Sequence, residues 1–273
     1  MIELDKESFS SRYKHFLWFL APFQAGYINV GAYHIAGGFF VSHVTGTSSM
    51  TGVGIARLDP IIFATFVTVL ISFILGAGLS GYFIKYRKEV TGHSDYSTVM
   101  FVKFLFFGLV LILSELDLFY KSESVIEASH ILMLFLLSFC CGVQNSSASL
   151  ATGGFLKPTH MTGLSTDVGV HLYRFFHRKT QADTLEFKKT LLRIKILCAF
   201  IIGGAFSEII FSVQGHYGFI FPFLSAFFFL MISLPKNKEI AKAKRFYFLK
   251  ASLTAVFVIT LFVGIASYSA YIA

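Results

Sequence analysis

Seven apolar stretches dominate the 273-residue chain, and each approaches the roughly 20 residues an α-helix needs to cross the hydrocarbon core of a bilayer. They are Phe16–Ile35, Ile61–Ile84, Val99–Phe119, Ile131–Leu150, Leu191–Val213, Gly218–Leu234 and Phe248–Ile272. No water is present in that core to satisfy backbone N–H and C=O groups, so such stretches bond internally as helices. The pattern predicts an all-α membrane protein with seven transmembrane helices. Composition agrees: 55% of residues are hydrophobic and 14% charged, where a soluble domain carries roughly 25% charged residues.

The net charge of +8 would suit a nucleic-acid binder, but the placement of the charges argues otherwise. With the N-terminus in the cytoplasm, all but Arg57 and Lys121 of the 23 Lys and Arg residues fall in cytoplasmic pieces, Lys103 among them. That asymmetry is the positive-inside rule. It predicts a cytoplasmic N-terminal tail (1–15), an external C-terminus and no nucleic-acid partner. The basic stretches Arg174–Lys195 and Lys236–Lys250 read as topology signals, or as surfaces for anionic lipid or a protein partner. The N-terminus lacks the short apolar region and small-residue site of a cleaved signal. Cys140, Cys141 and Cys198 lie in apolar runs and indicate neither a disulfide framework nor a metal site.

Two segments of the chain repeat one skeleton. GYINVGAYHIAGGFFVSHVTGTSSMTGVG (Gly26–Gly54) and GVQNSSASLATGGFLKPTHMTGLSTDVG (Gly142–Gly169) share Gly26/Gly142, Asn29/Asn145 and a Gly-Gly-Phe at Gly37–Phe39 and Gly153–Phe155. One residue out of step, they also share His-x-Thr-Gly at His43–Gly46 and His160–Gly163, then Ser48/Ser165 and Gly52/Gly169. The offset is 116 and then 117 residues. A fainter echo relates Ile74–Ser80 to Ile202–Ser207 at an offset of 127, which places about ten further residues in repeat two, within Tyr173–Lys189. Three helices separate equivalent points, so the copies run oppositely across the membrane. The expected architecture is a 3+3 inverted repeat in one membrane domain. Residues 16–120 form repeat one, residues 127–234 form repeat two, and a seventh helix (248–272) packs outside the six.

Paired glycines end a helix and let the backbone turn. Thr45–Gly54 then reads as a short helix packed against protein, with Thr45 or Ser48 as its N-cap. Either the two Thr-Gly elements aim their positively polarised N-termini at a shared site, or they are packing devices. The candidate substrate-binding residues are Asn29, His43, Thr45, Gly46 and Ser48, with Gln144, Asn145, His160, Thr162, Gly163 and Ser165. His43 and His160 read as site residues or as interfacial caps. Asn29 and Asn145, with Gln24 and Gln144, lie near mid-membrane, facing across the pseudo-axis or bonding neighbouring helices. His34 has no repeat counterpart and reads as structural. Two coupling candidates break the symmetry. Glu208 stands where repeat one has Gly81, as a proton-coupling acid or as an acid near the outer helix end reaching water. Asp167 stands where repeat one has Met50, and could instead balance Arg174. HExxH, GxSxG and P-loop motifs are missing, and S-x-x-K occurs only at Ser11–Lys14 in the tail, so no enzyme, cofactor or metal is expected.

The two motifs resemble the YoaK-like family of bacterial multi-pass membrane proteins (domain of unknown function 1275) across roughly residues 16 to 234. Relatives commonly carry Gly-x-x-Asp in the first helix and Met-Thr-Gly-Asn after it. Here Asn29 takes the aspartate position, Val44 the methionine and Thr47 the asparagine. The resemblance implies a bacterial inner-membrane location and no particular activity; if the aspartate binds a proton or cation in relatives, its replacement implies altered coupling. The residues favour a transporter or permease for an unidentified small solute or ion, in contact with the lipid bilayer, with its site between the repeats. A passive channel and a non-transporting scaffold or sensor are the alternatives, and the oligomeric state is open.

Overall fold

The computed structural model describes residues 12–36, 38–116, 128–176, 181–235, 244, 246, 248 and 249. Helices account for nearly all of them, and no strand occurs among the described residues. Of the seventh expected helix only Phe248 and Leu249 are described, and the tail 1–11 lies outside. Four helical stretches are long and apolar enough to cross a membrane: Pro60–Thr91, Tyr96–Glu115, Ser129–Ala151 and Asp183–Ser233.

The first helix, α1 (Arg12–Ile35), ends before a turn in which Gly38 takes φ +91°, a value costly for any residue with a Cβ. A short α2 (Val44–Arg57) follows. Its N-cap is His43, not Thr45 or Ser48 as the sequence suggests; those two lie inside the helix. Asp59 then accepts hydrogen bonds from Ile61 N and Ile62 N, both 3.0 Å, and Pro60 supplies the favoured first residue of α3 (Pro60–Ser80). α3 runs through a π-helical turn (Gly81–Tyr86) into α4 (Arg87–Thr91), which stops at Gly92 with φ +76°. Asp95 caps α5 (Tyr96–Glu115). The second half repeats the order with α6 (Ala128–Ala151), a turn with Gly154 at φ +90°, and α7 (Met161–His171). α8 (Gln181–Gln214) is joined by a tight 3-10 turn (Gly215–Phe219) to α9 (Ile220–Ser233). Among the described residues of Tyr173–Lys189, those from Gln181 onward form the N-terminal part of α8.

The most extensive packing joins α1 to α8 and α3 to α6, followed by α2 with α3, α5 with α9, α5 with α6, and α7 with α8. Four glycines set the two closest crossings. A Cβ built on Gly26 would overlap the carbonyl oxygen of Phe200, and one on Gly203 that of Phe23. One on Gly142 would overlap the carbonyl oxygen of Phe73, and one on Gly76 that of Phe139. Gly26/Gly142 and Phe23/Phe139 are related by 116 residues; Gly76/Gly203 and Phe73/Phe200 are related by 127. Small residues at such crossings let backbones touch where no hydrophobic effect drives helices together. Serine hydroxyls tighten the α3–α6 pair: Ser72 Oγ donates to Phe135 O (2.5 Å), Ser138 Oγ to Val69 O (2.8 Å) and Ser80 Oγ to Val143 O (3.2 Å).

Candidate functional site

The two asparagines of the repeat do one job twice. Asn29 Oδ1 accepts from Ser42 N (3.0 Å) and Ser42 Oγ (2.9 Å), and Asn145 Oδ1 accepts from Thr159 N (3.2 Å). Each ties the chain beyond the glycine turn back onto the helix before it. His43 (φ −91°, ψ 66°) and His160 (φ −92°, ψ 61°) then open α2 and α7 with nearly identical backbones. Neither makes a side-chain capping bond. Each ring instead lies over the third helical residue: a Cβ on Gly46 would come 2.6 Å from His43 Nδ1, and one on Gly163 2.6 Å from His160 Nδ1. Gly46 and Gly163 are the spaces these rings occupy. Thr45, Ser48, Thr162 and Ser165 are exposed, and Ser48 Oγ donates to Val44 O.

The two Thr-Gly helices dock on different partners, α2 on α3 and α7 on α8. Their fastenings differ in chemistry. In the first half the Phe39 ring meets Phe66 edge-on at 5.2 Å. In the second, the residues at the corresponding offsets are Phe155 and Arg193, and the guanidinium lies 5.1 Å from the ring centre. Arg193 Nε also pairs with Asp167 at 3.2 Å. Asp167 therefore balances Arg193 and not Arg174, whose partner is Asp183.

The cavity of interest lies elsewhere, between α1, α5, α6 and α9. It measures about 360 Å³ and is lined by Leu17, Trp18 and Ala21, by Tyr96, Met100 and Lys103, by Gln144 to Leu156 in part, and by Phe229, Ile232 and Ser233. Of the expected binding residues, Gln144 lines it. These residues come from the start of α1 and α5 and the end of α6 and α9, so the cavity occupies one end of the helix assembly.

At its base sits Lys103, 1% exposed. Its Nζ donates to Gln24 Oε1 (2.6 Å) and Gln144 Oε1 (2.7 Å), and lies 5.2 Å from the Phe229 ring centre and 5.7 Å from that of Phe107. The amides cannot turn away. Gln24 Nε2 donates to Pro222 O (3.2 Å) and Ser225 Oγ (2.5 Å), and Gln144 Nε2 donates to Ala21 O (2.5 Å). Fixing both NH₂ groups on acceptors aims both oxygens at the ammonium. Among the described residues no carboxylate lies within 4.0 Å of Lys103 Nζ. Lys103, expected among the cytoplasmic charges although it falls within the predicted helix Val99–Phe119, is buried inside α5. Its burial in VMFVKFLFF, opposite two mid-helix glutamines, is the signal that a tally of loop charges overlooks.

The opposite end of the same helices is packed. Tyr27 Oη donates to Gly218 O (2.9 Å), Phe211 meets Phe219 edge-on at 5.0 Å, and Phe107, Val110, Met133 and Phe219 are fully buried. Near this end His34 Nε2 and Glu208 Oε2 lie 2.6 Å apart, joining α1 to α8, with the Glu208 side chain 58% exposed. The described residues contain no group of three or more His, Cys, Asp or Glu side chains able to hold a metal ion.

No curated protein and no solved structure matches the chain. The family model described as "Protein of unknown function (DUF1275)" matches residues 17–233, which takes in α2 to α9 and all but the first turn of α1. The chain belongs to the DUF1275 family.

Proposed function

We propose that this protein is a carrier for a small solute, built as two inverted three-helix repeats with its N-terminus in the cytoplasm of a bacterial inner membrane. The observation that carries the reading is the one-ended cavity between α1, α5, α6 and α9, floored by the buried Lys103–Gln24–Gln144 cluster. Polar groups buried among membrane helices cost energy and mark solute pathways, and transporters of inverted repeats bind near the midplane where the repeats meet. Gln144 and Lys103 are the binding residues of this reading. Asn29, Asn145, His43, His160 and their Thr-Gly partners shape the turns that frame the bundle. Glu208 with His34, and Asp167 with Arg193, are the ionisable pairs available for coupling. The packed end formed by Tyr27, Phe211 and Phe219 favours a carrier over an open pore, and the cavity favours both over a scaffold.

Alternating access can be tested without knowing the solute. In a background with Cys140, Cys141 and Cys198 replaced, Ser147→Cys should react with an impermeant thiol reagent from the cytoplasmic side. Val110→Cys, at the packed end, should react slowly from the outside, and bulky labelling at either position should protect the other. Val110→Cys that never reacts from either side would sink the carrier, and simultaneous reaction of both without mutual protection would indicate a channel.

A further inference from the structure

We propose that the cavity takes a small organic monoanion, a carboxylate head on a short apolar or aromatic body, with Lys103 as its counter-charge. The inference rests on the carrier reading for its biological setting but concerns binding alone. An ammonium has three N–H donors. Two of those on Lys103 are committed to Gln24 Oε1 and Gln144 Oε1, which leaves one donor on the side chain that floors the cavity. Both neutral amides are pinned by backbone or hydroxyl acceptors, so they solvate the positive charge without cancelling it. A buried ion without a counter-charge is costly, and a bound anion removes that cost. One cation calls for one negative charge; a cationic solute meets repulsion at the same point.

The walls describe the rest of the ligand. Apart from Lys103 and Gln144, the cavity is bounded largely by apolar and aromatic groups, with Trp18 and Phe229 on different helices and Met100 and Leu17 beside them. Three hydroxyls on the wall are occupied internally: Ser147 Oγ donates to Val143 O, Ser233 Oγ to Leu230 O, and Thr152 Oγ1 to Ala148 O while accepting from Leu156 N, which leaves the Tyr96 phenol as the remaining wall hydroxyl. Polyhydroxylated solutes therefore find few partners. About 360 Å³ corresponds to on the order of a dozen water-sized groups, which limits the body to roughly one ring or a short chain.

Trp18 is the single tryptophan of the chain and lines the cavity, so the protein carries its own reporter. Purified protein in detergent is titrated with benzoate, benzamide and benzylamine, read by calorimetry and by Trp18 emission. Dodecanoate provides a further arm. Benzoate should bind saturably, at least tenfold more tightly than benzamide, with benzylamine not binding. Lys103→Met should weaken benzoate at least tenfold. Because that substitution leaves Gln24 and Gln144 without their ammonium and could disturb folding, Ala148→Leu serves as a second variant that narrows the cavity and leaves the cluster intact. It should weaken benzoate comparably. Tighter binding of benzoate than dodecanoate assigns a water-soluble anion, and the reverse assigns a fatty acid drawn from the bilayer; both support the anion site. Equal binding of benzamide, wild-type affinity in both variants, or no carboxylate binding overturns it. Anion binding without alternating access would remove the carrier reading and leave the site; alternating access without anion binding would do the opposite.

Discussion

Replacing Gly142 with alanine adds one methyl group to the molecule at a point that has no room for it. The new Cβ would stand 2.9 Å from the carbonyl carbon of Phe73, closer still to its oxygen, and 3.1 Å from Ala77 N. All three are backbone atoms of α3, so no side chain can swing aside; α3 and α6 must move apart. Overpacking of this kind costs about 1–3 kcal/mol. The separation also stretches the three serine-to-carbonyl bonds that cross the same pair, each worth roughly 0.6 kcal/mol inside a membrane. Together these predict a loss of about 2–4 kcal/mol. Gly78→Ala is the matched control: it lies in α3, its Cβ would meet nothing within 4 Å, and alanine is the better helix former by about 1 kcal/mol. Reversible unfolding in mixed micelles, followed by circular dichroism, compares the two. Gly26→Ala, which meets Phe200 in the α1–α8 pair, should behave like Gly142→Ala. If Gly142→Ala unfolds with Gly78→Ala, the idea that backbone contact holds these helices together is wrong.

Two further outcomes follow from the turns and caps. Asn29→Ala strands both Ser42 donors and should cost about 1–3 kcal/mol, while Asn145→Ala strands one amide and should cost less; protease cutting within 38–43 against 154–160 measures the difference, and equal cutting would contradict it. Asp95 is the second case. Burial would raise its carboxyl, but hydrogen bonds from Lys244, Ser97 and Thr98 outweigh that and hold it at about 2, below the ordinary 3.8. A carboxyl lowered on folding stabilises the protein above the ordinary value, and the contribution fades as pH falls through the folded one. The wild type should therefore lose on the order of 2 kcal/mol between pH 4 and 2. Asp95→Asn should be less stable at neutral pH and flatter across that window, and an unchanged pH profile in thermal unfolding would refute the assignment.

The parts of this fold that were legible in the sequence are those set by local chemistry or exact repetition. α1 and α6 both end at a glycine turn because glycine alone takes φ near +90° without strain, and the structure has Gly38 and Gly154 there. Asn29 and Asn145 were found by their spacing, although what each touches, the chain 13 or 14 residues on, was not. Lys103 was missed for a physical reason. A single lysine seven residues into α5 is indistinguishable by position from a juxtamembrane charge, and the glutamines that hold it lie 79 and 41 residues away. The role of Arg193 was hidden in the same way: it sits in a run of basic residues, and only packing reveals that it has taken the place of Phe66.

The glycine crossings have a consequence for how the molecule can move. α1 is locked backbone-to-backbone onto α8, and α3 onto α6. Each locked pair takes one helix from each half of the chain. A rearrangement that kept the two halves as its units would have to tear both contacts. The natural rigid bodies are instead the cross-paired ones, α1 with α8 carrying α7, and α3 with α6 carrying α2, and the cavity lies where α1 of one and α6 of the other meet α5 and α9. The halves that share a sequence pattern and the units of motion need not coincide in this protein: one is written along the chain, the other across it.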